Sequence, residues 1–446
     1  MLKRSMEIIK LAIPAVAEMI LYMLIWVFDT LMVGKYGGQV GVSAVGLSSE
    51  IMYTFSNIFI GMGLSISITS IVARAMGSKA KDKANEFANQ GIQIGIFVSI
   101  IMFLIFFIFS EKIFYLAGAE DAVLILGSKY MRICSIGIFF GMLSNLISGV
   151  FRGCKDTKTP LYGAIILNIV NISFDYLLIF GNFGFPELGV VGAAYATTLG
   201  NILCFTLLFV KRKKLPFKIN LKAKINFKEM KTLLDLAIPS GFQEAASSIV
   251  RLLGATMVMR LGSLAFSANQ IVITIESVSF MPGWGFAIAC TALVGHSLGE
   301  KDYEKAKEYA NISAILASIV MGFFAIIFLI FSKELVGLFI KKEEIEVIQL
   351  GSICLMIGAI QQVPMAIDMV LSGALKGSGD SKTPFKIVLF CNWIIRLPLM
   401  YYFIYYKKSS IIYFWIITSI QWTIEGIILI RSYRKKFYKN SKWKEI

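Results

Sequence analysis

A chain of 446 residues that is 57% hydrophobic and 16% charged, with a mean hydropathy of +0.73, carries more apolar side chain than one water-soluble core can hide, so it belongs in a bilayer. Its formal net charge of +16 would also suit a nucleic-acid binder, but the basic residues are dealt out loop by loop and form no single patch. Composition therefore excludes an ordinary soluble enzyme and leaves no nucleic-acid partner.

A spanning helix needs about 20 mostly apolar residues. Twelve such runs are read in order: 8–33, 42–73, 88–110, 124–150, 161–181, 189–210, 233–259, 266–295, 308–331, 347–374, 385–404 and 411–430. The first begins like a signal peptide, with Lys3, Arg4 and Lys10 ahead of Ala15-Val16-Ala17, but its apolar stretch continues to Val33 and reads as an uncleaved span. Pro14 lies inside it, where a missing backbone hydrogen bond permits a bend.

Acids inside a span are costly unless they face protein or water, which makes them functional candidates. The first six runs hold Glu18, Asp29, Glu50 and Asp175, and no Lys or Arg partner is evident at mid-membrane. Asp29 precedes Gly34 by five residues and Asp175 precedes Gly181 by six, so both should sit roughly 7 to 9 Å below the outer helix ends. Asn168, Asn171 and Asp175 follow an i, i+3, i+7 spacing that lines one helical face, and Thr197 lies about eight residues from the outer end of the sixth run, a comparable depth. Carboxylates with neutral oxygens at Asp29, Asn171 and Asp175 suit Na⁺, whereas two neighbouring acids in low dielectric suit a proton carrier. The alternative is hydrogen bonding that only holds the bundle together.

The segment from Lys211 to Lys231 has nine Lys or Arg against Glu229 alone. It reads as a cytoplasmic linker, 211–232, between an N-terminal lobe (1–210, six spans) and a C-terminal lobe (233–446, six spans). Basic clusters recur at every second loop, at Arg74 to Lys83, Arg152 to Lys158, Lys301 to Lys307 and Lys376 to Lys386. The alternate loops are mixed or acidic, as at Glu111, Glu120, Asp121 and Glu187, then Glu334, Lys341, Lys342, Glu343, Glu344 and Glu346. The positive-inside rule then places both termini in the cytoplasm, and the plasma (inner) membrane is the expected location. In the C-terminal runs Glu244, Glu276 and Asp368 are accompanied by Arg251 and Arg396. Those acids either pair with the arginines or, with Glu50, meet a cationic substrate.

The halves are copies. Gly149-Val-Phe-Arg-Gly-Cys-Lys-Asp-Thr-Lys-Thr-Pro160 returns as Gly373-Ala-Leu-Lys-Gly-Ser-Gly-Asp-Ser-Lys-Thr-Pro384, and Leu11-Ala-Ile-Pro14 as Leu236-Ala-Ile-Pro239. Six spans per half give both halves the same orientation, related by a pseudo-twofold axis along the membrane normal. The repeated loop has a structural reading, in which glycines end one helix, Asp caps and Pro begins the next. The six cysteines lack CxxC spacing and His296 is the sole histidine, so neither a metal nor a Ser-His-Asp site is expected, and no cofactor beyond a coupling ion.

The stretch Trp26-Val-Phe-Asp29-Thr-Leu-Met-Val-Gly34, the Asn171-x-x-x-Asp175 pair, Gly192-Ala-Ala-Tyr-Ala-Thr197 and the repeated Gly-x-x-x-Gly-x-x-Asp loop together resemble the multidrug and toxic compound extrusion (MATE) family over essentially the whole chain. The resemblance implies two six-helix lobes and antiport of drugs, often small organic cations, against Na⁺ or H⁺, in a monomer surrounded by lipid. It implies an ion-binding network at Asp29, Asn171, Asp175 and Thr197, with Asn145 and Tyr130 as further members and Pro14 as the bending proline. Glu244 matches the C-lobe acid of sodium-coupled members, but Met365 stands where their second aspartate is expected, with Asp368 three residues on. The rival readings are a lipid-intermediate flippase, whose family usually has more spans, and an integral-membrane enzyme, for which no catalytic constellation is found.

Overall fold

The computed structural model describes residues 2–220, 223–340 and 344–439; Lys222 of the linker and Lys341, Lys342 and Glu343 of the mixed loop lie outside them. In chain order its helices are α1 (Leu2–Ser56), α2 (Ile66–Gly77), α3 (Lys81–Ile108), α4 (Ser110–Leu116), α5 (Asp121–Gly153), α6 (Lys158–Phe180), α7 (Val190–Lys211), α8 (Phe227–Met259), α9 (Ser263–Gly299), α10 (Tyr303–Ile330), α11 (Ser332–Gly337), α12 (Ile345–Gly377), α13 (Lys382–Leu389), α14 (Leu397–Met400) and α15 (Ile412–Arg434). Wide π turns bridge α1 to α2 and extend α13 and α14, and among the described residues there is no strand.

Among the described residues, ten helical stretches are long and apolar enough to cross a membrane. The first, Arg4–Gly77, holds the first two predicted runs and is broken only at Gly38, whose φ of 55° and ψ of −148° leave the helix. The seventh run, in α8, is not among the ten. Counting the split helix and α8, the twelve expected runs all fold as helix.

The chain divides into two compact units, Ala17–Gly241 and Met1–Val16 with Phe242–Ile446. This differs from the expected division at the basic linker, because both boundaries fall inside helices, just past Pro14 and Pro239. Packing explains the difference. Ile8 and Ala12 of α1 lie in the core built by α9, α10 and α12, whereas Leu233, Leu236 and Ala237 of α8 lie in the core built by α2, α3 and α5. Glycines permit these close seats: a Cβ on Gly285 would stand 2.6 Å from the backbone nitrogen of Val16, and one on Gly241 would stand 2.8 Å from the Ile58 carbonyl.

The repeated loops fold as the sequence suggests. Asp156 accepts from the amides of Lys158 (3.0 Å) and Thr159 (2.9 Å) at the start of α6, and Asp380 accepts from the Thr383 amide (2.9 Å) at the start of α13. The residue before each aspartate is left-handed, at Lys155 (φ 62°) and Gly379 (φ 85°). Lys436 also donates to Asp380 at 2.8 Å. Burial alone would raise the Asp380 carboxyl, but Lys436 and Thr383 hold it below the usual carboxylate value.

Candidate functional site

In the Ala17–Gly241 unit the site is set by how closely α6 and α7 approach. A Cβ on Gly192 would stand 2.6 Å from the Leu178 carbonyl oxygen, and one on Gly200 would stand 3.1 Å from that of Leu167. With no side chain at either point the two backbones touch, and Thr197, between the glycines, is brought against Asn171. Asn171 Nδ2 donates to Thr197 Oγ1 at 3.2 Å, and Thr197 Oγ1 donates to Asp29 Oδ2 at 3.3 Å. Asp175, one turn beyond Asn171, faces the Asp29 carboxyl at hydrogen-bonding range, a contact open only when one of the two carries a proton. Asp29 is 6% exposed and Asp175 is fully buried.

The polar atoms left over are all acceptors. Asp29 Oδ1, Asn171 Oδ1 and both oxygens of Asp175 are buried and accept from no donor among the described residues. No Lys or Arg among the described residues forms an ion pair with either acid. Tyr130 and Cys134 of α5 border the pair and hydrogen-bond to each other. Oxygen acceptors with a surplus of negative charge fit Na⁺ or a proton.

Other predicted residues sit elsewhere. Asn145 is on the same helix as Tyr130 but 15 residues on, roughly 22 Å along the axis, where its carbonyl accepts from Ser65. Asn168 turns its amide back to the Ala164 carbonyl at 2.9 Å. Glu50 is exposed. Glu18 corrects the expectation that these spans lack a basic partner, since Arg152 Nη2 reaches its Oε1 at 2.5 Å and both side chains are buried. Arg152 looked like a loop residue in the sequence, but α5 stays helical through Gly153 and carries it inward.

The other unit mixes acids with bases. Glu276 on α9 accepts from Gln361 and, at 2.9 Å, from Gln362, with Arg396 acting on it through space. Glu244 lies 3.9 Å from Arg251 and accepts from Ser248. Two members escaped the sequence reading. Glu425 on α15 is 1% exposed, and Lys376 at the end of α12 is 4% exposed. Lys376 acts on both Glu244 and Asp368, and Glu425 is acted on by Asp368 and Arg396. Lys376 occupies the repeat position of Arg152, so the pairing of Glu18 with Arg152 was the available clue to it.

The MatE family model matches residues 14–177 and 239–402, two segments offset like the repeated Leu-Ala-Ile-Pro of residues 11–14 and 236–239, and within one residue of the offset of the repeated loop. The chain belongs to the MatE family. This MATE transporter is 28% identical over 442 residues to the probable multidrug resistance protein NorM of Thermotoga maritima, covering 98% of this chain and 93% of that protein. It is 25% identical over 440 residues to the uncharacterized transporter YisQ of Bacillus subtilis, at 98% and 95% coverage. Among solved structures it is similar to a MOP superfamily transporter from Pyrococcus furiosus, with a TM-score of 0.90 at 20% identity over 99% of this chain and 97% of that one. A mutant of the Vibrio cholerae MATE transporter VcmN gives 0.91 at 18% identity, covering 99% and 98%. A MATE family fold, multi-pass and membrane-embedded, follows.

Proposed function

We propose that this MATE transporter is a secondary active multidrug exporter that exchanges small cationic organic compounds for H⁺ or Na⁺ by alternating access. It works as a monomer in the plasma (inner) membrane with both termini in the cytoplasm. The observation that carries this reading is the set of buried acceptors left without a donor at Asp29, Asn171 and Asp175, beside Thr197. Two carboxyl groups facing each other in low dielectric repel unless a cation or proton lies between them. External H⁺ or Na⁺ filling that position would change the hydrogen bonding that ties α1 to α6 and α7, and this change is the coupling step that releases cargo outward. The names of relatives such as NorM support drugs as cargo, and Glu244, partly exposed beside Arg251, is the acid we assign to cation selection. Pro14, two residues from the boundary between the compact units, is the bend that accompanies the change.

Transport in proteoliposomes with Na⁺ and pH gradients imposed separately tests the proposal. One gradient should drive uptake of a fluorescent organic cation, and Asp29→Asn or Asp175→Asn should reduce it to the level of empty liposomes while the protein still inserts and purifies as a monomer. Full ion-driven transport by both variants at matched reconstitution would sink the assignment.

A further inference from the structure

The basic linker that follows α7 is held in place by α3. Gln90 Nε2 donates to the Lys224 carbonyl and Gln93 Nε2 to the Ala223 carbonyl, both at 2.8 Å. Asn89 Oδ1 accepts from the Asn220 amide at 2.8 Å, and Gln90 Oε1 accepts from the Asn226 amide at 3.1 Å. Side-chain amides one turn apart on α3 thus take up backbone groups that a free linker would leave to water. With Asn220 pinned, its neighbour Ile219 closes one side of a groove built by three helices of the Ala17–Gly241 unit.

Each helix supplies two apolar side chains four residues apart: Ile92 and Ile96 from α3, Leu143 and Ile147 from α5, Phe205 and Phe209 from α7. Pairs at that spacing share one helix face and cover roughly 6 Å of its axis. The empty space of the groove, counted with its open side, is about 390 Å³. Among the described residues that line it only Arg212 is charged, and the surface it contributes is apolar, which is the surface of its stem. The guanidinium lies 3.3 Å from the centre of the Phe209 ring, and Nη1 donates to the Phe209 carbonyl at 3.3 Å. Arg212 forms no ion pair with an acid among the described residues, so most of its donor fork is left for an anion. Lys211 and the exposed Lys213, Lys214 and Lys218 are close to it in the chain, and no acid occurs between residues 211 and 228. That charge repels a cationic cargo, while a free anion would leave the apolar groove unfilled. An amphiphile with an apolar chain and a negative head satisfies both parts.

We propose that the groove binds an anionic phospholipid of the surrounding membrane, with part of one acyl chain between α3, α5 and α7 and its phosphate on Arg212. The leaflet that supplies the lipid rests on the topology proposed above, but the binding does not, so it is measured in detergent. The full chain, stripped of lipid, is titrated with phosphatidylglycerol and separately with phosphatidylcholine, and bound lipid is counted by native mass spectrometry. A single phosphatidylglycerol should be held at least about fivefold more tightly than phosphatidylcholine, and Arg212→Gln should remove about that factor. Ile96→Trp, which fills the groove, should abolish tight binding of phosphatidylglycerol, and Lys333→Gln, at an exposed lysine of the other unit, should leave it unchanged. Glycerophosphoglycerol, the same head without chains, should not displace the lipid. The site is overturned if wild type holds the two lipids equally, if glycerophosphoglycerol displaces the lipid, if Lys333→Gln weakens binding as much as Arg212→Gln, or if Arg212→Gln and Ile96→Trp both keep the full preference. The first two outcomes need no variant, so misfolding cannot shield the proposal.

Discussion

The two compact units arise from duplicated sequence, yet they treat buried charge in opposite ways. In the Ala17–Gly241 unit Asp29 and Asp175 face each other among Asn171, Thr197 and Tyr130 with no basic partner among the described residues, and Arg152 is committed to Glu18. In its counterpart Lys376, Arg396 and Arg251 are interleaved with Glu244, Glu276, Asp368 and Glu425. The repeat position held by Arg152 or Lys376 supplies a buried cation in each unit. What differs is where the acids are. Duplication preserved a way of neutralising charge, and only one copy keeps a full acid pair beyond its reach.

Breaking the buried neutralisation should have a large effect. Removing one partner of the Glu18–Arg152 pair, as in Arg152→Ala, leaves an uncompensated buried charge and should destabilise the protein by about 3 to 5 kcal/mol, read as a lower Tm in detergent. The joint change Glu18→Leu with Arg152→Met should recover most of that loss. An Arg152→Ala protein as stable as wild type would show that the pair is not desolvated.

A graded version applies to the other unit. Arg396→Gln should lower Tm clearly because Arg396 acts on Glu276 and Glu425 together. Arg251→Gln should cost about 0 to 1 kcal/mol, since that side chain is 58% exposed and 3.9 Å from Glu244. Equal losses in the two variants would contradict the view that neutralisation is concentrated at the buried arginine.

The smallest effect is expected where Glu229 of α8 meets Glu86 of α3. Burial, then the hydrogen bond with Glu86 and its charge, push Glu229 from 4.5 up to about 7, against the pull of Lys83 and Lys228. The folded protein therefore holds a proton there that the unfolded chain releases. The stabilisation is full below about 4.5 and is lost as pH rises through about 7. Glu229→Gln should flatten this part of the stability profile in wild-type-like protein, and an unchanged slope would remove the acid pair from the account.

Much of this was legible in the sequence. Apolar runs, the repeated loop and the positions of Asp29, Asn171, Asp175 and Thr197 follow from length, periodicity and helical depth. Their assembly also needed Gly192 and Gly200, whose purpose is visible only where two backbones meet. The unit boundaries were hidden because a continuous helix can begin in one core and end in another. Arg152 and Lys376 were missed as interior charges because each lies just past the end of an apolar run, where hydropathy reads a loop and the structure keeps a buried helix, and Glu425 lies inside the last run.

The central claim is that the unpaired acids, and not Glu244, set the coupling. Ion flux per exported cation, measured in proteoliposomes, tests it most directly. Glu244→Gln should change which cations are exported and keep the ratio, while Asp29→Asn should lose ion flux and export together. Normal coupling in Asp29→Asn with lost coupling in Glu244→Gln would contradict the account.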